Sequence, residues 1–354
     1  MPRIPVGFAM TSTLKTRLFR AGFSTLAALR ADVWLPAVTD WRGVVLTMHR
    51  VRPAPAEGFA PNAHLEITPE FLELAVGRLR RRGIALVGLD EAKARLAAGD
   101  RERFAVLTFD DGYADNHDVA WPILNRLGVP FTVFVASGMV DGTASAWWLT
   151  LEEVLRRADT VDFAGTRRRL ASDADRHRAF RAIARPLRAL GEAKRDAAVR
   201  TLAAAAGVDI PALLAREMMD WDAVRRLAAD PLVTIGGHTV DHPSLAALST
   251  EEARREIVGG LDRIEAETGR RPRHFAYPYG SPRDVSVRDV ELARSLGLEV
   301  AVTTSAGMLS GTGRNAAWPR VSLNGNFQCG RDLDLLVSGL PQLLDRRRLA
   351  VAAG

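Results

Sequence analysis

The stretch Phe104-Ala105-Val106-Leu107-Thr108-Phe109-Asp110-Asp111-Gly112 runs from an unbroken apolar segment straight into two carboxylates and a glycine. Six apolar or β-branched residues in a row do not alternate, which is the pattern of a strand covered on both faces, as in a parallel sheet. Comparable runs recur at Val44–Met48, Ile84–Leu89, Phe131–Val135, Leu232–Ile235, His274–Tyr277 and Leu298–Thr303. Between them lie amphipathic stretches at Pro69–Arg82, Trp121–Leu127, Thr250–Thr268 and Ser286–Leu296. Strands alternating with helices predict an α/β architecture with a parallel, barrel-like sheet. Gly83, Gly128, Gly269 and Gly297 each follow one of those helices, where a left-handed C-cap favours glycine.

One interval breaks the rhythm. From Gly138 to Asp230 no strand-like run occurs, only Arg- and Ala-rich helical sequence after Trp147 and Trp148, broken by Pro186 and Pro211. It reads as a helical insertion at about 139–230 in a barrel spanning 41–330, with a helical segment at 1–40 and a helix and basic tail at 331–354. The 354 residues carry 48 Lys and Arg against 42 Asp and Glu, and the excess is local: residues 156–200 hold 13 basic and 6 acidic side chains. That patch has neither a reading motif nor interleaved stacking aromatics, so the reading is no nucleic acid. A solvated helical face or an anionic surface remains. No stretch of about 18 apolar residues is present to cross a bilayer. The single cysteine, Cys329, excludes an internal disulfide or a thiolate metal cluster.

At the N-terminus, Lys15, Arg17 and Arg20 precede a weakly apolar stretch interrupted by Ser24 and Thr25, with no clear cleavage site. The expectation is therefore no signal peptide, with Leu14, Leu18 and Leu29 on an amphipathic helix. Its place would be cytoplasmic or peripheral at the inner membrane face, with membrane contact through that helix or the basic insertion.

Polar clusters follow the strands at one topological position: His49 after the first, Asp110-Asp111 after Phe109, Gly236-Gly237-His238 after Ile235, and Pro278-Tyr279-Gly280 after Tyr277. In parallel barrels the C-terminal strand ends converge on one face, where active sites form. His238 and His242, four apart and followed by Pro243, suit two ligands of one metal if they share a helical turn. Two polar loop histidines fit the spacing as well. Adjacent strand-end carboxylates point different ways, so one of Asp110 and Asp111 can complete a metal site while the other handles a proton. An N-cap pair is their structural alternative. His49 offers an acid with a suitable ordinary pKa, and Pro278-Tyr279-Gly280 is a tight turn whose N–H can face an oxyanion. His64, His117, His177 and His274 take structural readings, as do most of the tryptophans Trp147, Trp148 and Trp221.

Thr108-Phe109-Asp110-Asp111-Gly112, His238-Thr239-Val240-Asp241-His242-Pro243 and Phe275-Ala276-Tyr277-Pro278-Tyr279-Gly280, in that order, resemble the first three motifs of the polysaccharide deacetylase family. This is the nodulation-protein-B homology group, or carbohydrate esterase family four. The resemblance spans about 44–320 and implies a deformed (β/α)7-type barrel that removes acetyl groups from N-acetylglucosamine-containing poly- or oligosaccharides. It implies Asp110 as general base and the Tyr279 amide as oxyanion donor. Asp111, His238 and His242 would be ligands of zinc (Zn2+) or another divalent metal such as Co2+.

Two departures stand out. Ala276 occupies the place of the third motif's usual arginine, which orients the catalytic aspartate; Arg320, after Trp318-Pro319, is the candidate replacement. The C-terminal leucine-x-histidine motif is missing, since no histidine follows His274. His49 resembles the relocated acid of the branch that includes poly-N-acetylglucosamine deacetylases. The rival readings are a catalytically silent glycan-binding barrel and a non-haem iron oxygenase using the two histidines and one carboxylate.

Overall fold

The computed structural model describes residues 22, 25–54, 58–311 and 315–344. Seven parallel strands close into a ring: β1 (Gly43–Met48), β2 (Phe104–Phe109), β3 (Phe131–Val135), β4 (Val233–Gly237), β5 (His274–Ala276), β6 (Val300–Ala306) and β7 (Trp318–Ser322). The ring runs β1-β7-β6-β5-β4-β3-β2 and shuts through β1 against β2, with Gly43 opposite Phe104 and Met48 opposite Phe109. Every residue of β1, β2 and β3 is buried, which is why these strands read as continuous apolar runs.

Six of the seven expected runs supply ring strands. The seventh, Ile84–Leu89, contributes only the two-residue strand Ala85–Leu86 beside the start of β2. The ring is completed instead by β7, whose Pro319 and Arg320 hide it from a search for apolar runs. The glycines before His238 end β4 and do not open a loop: a Cβ at Gly236 would lie 2.4 Å from the Phe134 ring.

Helices flank the ring where the amphipathic stretches place them, at Pro69–Arg81, Trp121–Arg126, Thr250–Thr268 and Val287–Ser295. All four glycines that follow them adopt positive φ. Thr250–Thr268 is the best delimited of these helices. Ser249 and Glu252 form a reciprocal capping box at its start, and Gly269 (φ 69°) ends it.

Between β3 and β4 the insertion packs its own core, with Leu151, Val154, Ile183, Val199 and Leu213 among the buried residues. It is not wholly helical: Thr160–Phe163 and Thr166–Arg169 form an antiparallel hairpin. Three arginines and a largely exposed face leave that hairpin no apolar alternation to read.

At the other end of the chain order, the helix Ala31–Val38 packs Ala31 and Leu35 against Leu335 and Leu340 and leaves Val33, Trp34 and Val38 exposed. Most of the amphipathic helix expected around Leu14 and Leu18 lies outside the described residues. Among the described residues no single helix is long and apolar enough to cross a membrane.

Candidate active site

The polar residues at the strand ends meet on one side of the ring. After β2, Asp110 keeps its backbone N–H on Met48 of β1 (3.0 Å), while Asp111 and Gly112 turn left-handed, at φ 74° and 82°. A left-handed non-glycine residue is strained, and here it separates the two carboxylates. Neither carboxylate caps a helix.

Asp110, 2% exposed, is gripped by Arg320 of β7: Nη1 donates to Oδ1 at 2.7 Å and Nη2 to Oδ2 at 2.6 Å. The same guanidinium donates from Nε to the Thr303 carbonyl (2.9 Å) and from Nη1 to Thr108 Oγ1 (3.2 Å), so its plane is fixed. Burial would raise the Asp110 carboxyl, but the paired guanidinium overrides it and holds the group below its ordinary value. The arginine absent at Ala276 thus has a spatial counterpart on β7.

Asp111 turns the other way, toward both histidines. Its Oδ1 lies 3.3 Å from His238 Nε2 and 3.4 Å from His242 Nε2. The histidines do not share a helical turn, as their spacing suggested. They sit in irregular chain, brought together by left-handed backbone at Thr239 (φ 67°) and His242 (φ 58°). His238 Nδ1 donates to the Ala276 carbonyl at 2.6 Å, which leaves Nε2 to face the carboxylate.

The three side chains can hold a metal. Their ligand atoms lie within 4.8 Å of one another, all three residues are buried, and Asp111 Oδ1 has no hydrogen-bond partner. Two ligands each ~2.1 Å from a tetrahedral zinc stand about 3.4 Å apart, the spacing of these nitrogens from that oxygen. Burial pushes the His242 imidazole down to about 3, keeping it neutral and fit to ligate. At His238 burial is outweighed by Asp111 and Asp110, which raise its pKa, while Asp111 itself is lowered by His238, His242 and His49 against its own burial. Both shifts describe a pocket whose carboxylates call for positive charge.

Tyr279 is the centre of a three-residue turn, with φ 58° and a Gly280 N–H to Pro278 carbonyl bond of 2.6 Å. This left-handed γ-turn is the rare, strained form. Among the described residues the Tyr279 N–H has no acceptor. The ring of Tyr279 lies edge-on to His242 at 4.7 Å, its hydroxyl accepts from Trp147 Nε1 (2.9 Å), and Arg188 lies over its face at 4.5 Å.

His49 is half-buried just past β1, and its ring makes no hydrogen bond to the described residues. It is close enough to act electrostatically on Asp110, Asp111 and His242. His64, His117, His177 and His274 stay outside the cluster; His274, for example, is buried against Asp90 at 3.0 Å.

The insertion supplies part of the wall of the site. Trp148 packs in its core and also stands 5.3 Å from the His242 ring, with Nε1 on the Tyr113 hydroxyl (2.8 Å). Two adjacent tryptophans opening an otherwise Ala- and Arg-rich helix are the signal that marked this wall. Trp221 lies elsewhere, bonded to Asp141 (2.7 Å).

Comparisons with known proteins bear on the family and the fold. A family model described as polysaccharide deacetylase matches residues 97–301. A comparison with curated proteins finds no match. Among solved structures, a Streptococcus pyogenes deacetylase, PplD, in complex with acetate is 16% identical, with a TM-score of 0.54, covering 85% of this chain and 99% of that one. IcaB from Ammonifex degensii is 19% identical (TM-score 0.53; 83% and 97% covered). A de-N-acetylase from Aggregatibacter actinomycetemcomitans is 17% identical (TM-score 0.52; 79% and 94%). At these identities the likeness is one of fold.

Proposed function

Because the chain belongs to the polysaccharide deacetylase family, hydrolases of non-peptide carbon–nitrogen bonds, we propose that it hydrolyses N-acetyl groups of N-acetylglucosamine-containing poly- or oligosaccharides with the aid of a divalent metal. Acetate and a free glucosamine unit are the products. The observation that carries the proposal is the division of labour in the acidic doublet: Asp110 is bound by Arg320, and Asp111 faces His238 and His242.

In this reading Asp110 is the general base. Its carboxylate is kept ionised by Arg320, and its two oxygens are fixed relative to the strand end, so it accepts a proton from the attacking water without first reorienting. The Tyr279 N–H, without an acceptor among the described residues, is available to an oxygen that gains charge as the amide carbonyl becomes tetrahedral. His49 gives its proton to the departing amine, the step without which the C–N bond does not break at neutral pH. Trp147 and Trp148 wall the insertion side of the site, beside Tyr279 and His242. A divalent cation such as Zn2+ or Co2+, held by Asp111, His238 and His242, would supply Lewis-acid chemistry, polarising the acetyl carbonyl and acidifying water.

The silent-barrel alternative drew its motive from Ala276; the two-point grip of Arg320 on Asp110 supports the hydrolase reading instead. The oxygenase alternative goes with a β-sandwich, whereas this sheet is an all-parallel ring. The test is incubation of the purified protein, loaded with zinc or cobalt, with N-acetylglucosamine oligomers, followed by mass spectrometry. A loss of about 42 daltons per processed unit is expected from the chemistry of replacing acetyl by hydrogen, with matching acetate release. Oligomers that bind yet lose no acetyl group with either metal would overturn the proposal.

A further inference from the structure

Arg50 directly follows His49 and is buried, 7% exposed, at the rim of an otherwise apolar strand end. Its Nε donates to Asp115 Oδ2 and its Nη1 to Glu217 Oε2, both at 2.8 Å, and its guanidinium lies 4.5 Å over the Tyr113 ring. These partners belong to different parts of the chain. Tyr113 and Asp115 lie in the turn that begins with Asp110 and Asp111, and Glu217 ends the last insertion helix before β4's own flanking helix.

Further bonds fasten the same three segments. The second oxygen of Asp115 accepts from the Val51 N–H (2.8 Å), and the Asn116 side chain donates to the His49 carbonyl (2.8 Å). Met219 N–H donates to the Gly112 carbonyl (3.0 Å), and the Tyr113 hydroxyl accepts from Trp148 beside His242. Arg50 touches all three segments directly.

The His49 ring has no hydrogen bond of its own to a described residue. Its direction relative to Asp110 and Asp111 is therefore set by its backbone, and that backbone is set by the Arg50 node. Burying a guanidinium with two carboxylates carries a large desolvation cost before pairing, and apolar residues of similar volume could hold the segments together at less cost. What apolar packing lacks is direction: a planar fork bound to two carboxylates admits only one register.

We propose that Arg50 is a positioning residue that aims the His49 imidazole at the departing nitrogen by locking β1 to the acidic-doublet turn and to the exit of the insertion. This rests on the assignment of His49 as the acid. Arg50 itself does not touch the reacting atoms.

The test is a double-mutant cycle on the metal-loaded enzyme: Arg50→Lys, His49→Ala and the pair, with kcat and KM determined well below each variant's unfolding temperature. Lysine keeps the charge but cannot span Asp115 and Glu217 in one plane. Arg50→Lys is expected to lower kcat by about 10- to 100-fold through misorientation, with KM little changed. In the His49→Ala background the same substitution is expected to cause no further loss. A wild-type kcat for Arg50→Lys, or the full loss repeated in that background, would overturn the proposal. Should Arg50→Lys fail to fold, Asp115→Asn, which keeps an acceptor for Val51 while dropping the charge, carries the same cycle. His49→Ala alone separates the two failures: undiminished turnover sinks the acid assignment, whereas a slow His49→Ala with an indifferent Arg50→Lys sinks only the positioning role.

Discussion

Replacing Arg320 by methionine tests the ion pair on which the site's reading turns. The two charges are 1% and 2% exposed and share hydrogen bonds of 2.7 and 2.6 Å. Removing one partner of such a pair strands the other, a cost of ~3–5 kcal/mol. Against a total stability of ~5–15 kcal/mol, that fraction is large enough to see directly. In urea, with a slope of ~3 kcal/mol/M or more for a chain of this size, the midpoint should fall by about 1 M. The measurement belongs in chelator, so that metal binding does not add its own linkage.

The decisive comparison is a second substitution. Asp110→Asn alone should destabilise, because it leaves the buried guanidinium without a counter-charge. In the Arg320→Met background the same change should restore stability, because it removes the stranded carboxylate. Arg320→Lys should fall between, since an ammonium cannot bind both oxygens in one plane. Turnover of Arg320→Met should drop by ~10²-fold as the base loses its fixed direction. If Arg320→Met unfolds within about 1 kcal/mol of the parent, or Asp110→Asn costs the same in both backgrounds, the pair is not what holds the base and the reasoning fails.

Other expectations follow from the same geometry. His49→Ala should lose ~10²-fold in turnover while keeping its bound metal, whereas Asp111→Ala should lose metal and activity together, both checked by metal analysis beside acetate release. Gly280→Ala should distort the Tyr279 turn, because its φ is 61° and a Cβ would stand 2.5 Å from the Thr304 nitrogen; kcat should fall more than KM, and an unchanged kcat would remove Tyr279 from the oxyanion role. Asp141 binds Arg263 (2.8 Å) and Trp221 (2.7 Å), which hold its carboxyl below the ordinary value in spite of partial burial. A lowered acid contributes stability above its unfolded pKa of ~3.9 that disappears as pH falls through its folded value. The stability gap between the parent and Asp141→Asn should therefore narrow as pH falls from about 5 through the carboxyl's lowered folded value, and a constant gap would refute the linkage.

The strands that carry the site were legible because burial on both faces forces apolar runs, and the chemistry was legible because each run ends in residues a strand has no use for. The reading faltered where a residue served two masters. Pro319 and Arg320 disguise β7 because the arginine is there for Asp110 and not for the sheet. The hairpin at 160–169 packs little and so leaves no pattern. The backbone at Thr239 and His242 replaces a helix by two left-handed residues, which no spacing rule announces. Arg50 and Tyr113 went unremarked because their partners are remote in sequence: 65 residues separate Arg50 from Asp115. A charged residue following an apolar run was the available sign.

Ala276 has no exposed surface and is packed among Val45, Phe134, Val302 and Trp318, with its carbonyl committed to His238. A guanidinium reinstated there would find the volume taken and its acceptor already engaged by a rival two strands away. Within a closed ring, then, one carboxylate can be met by a cation from a stave remote along the string, and a census of motifs records where a charge sits but not the direction from which it arrives.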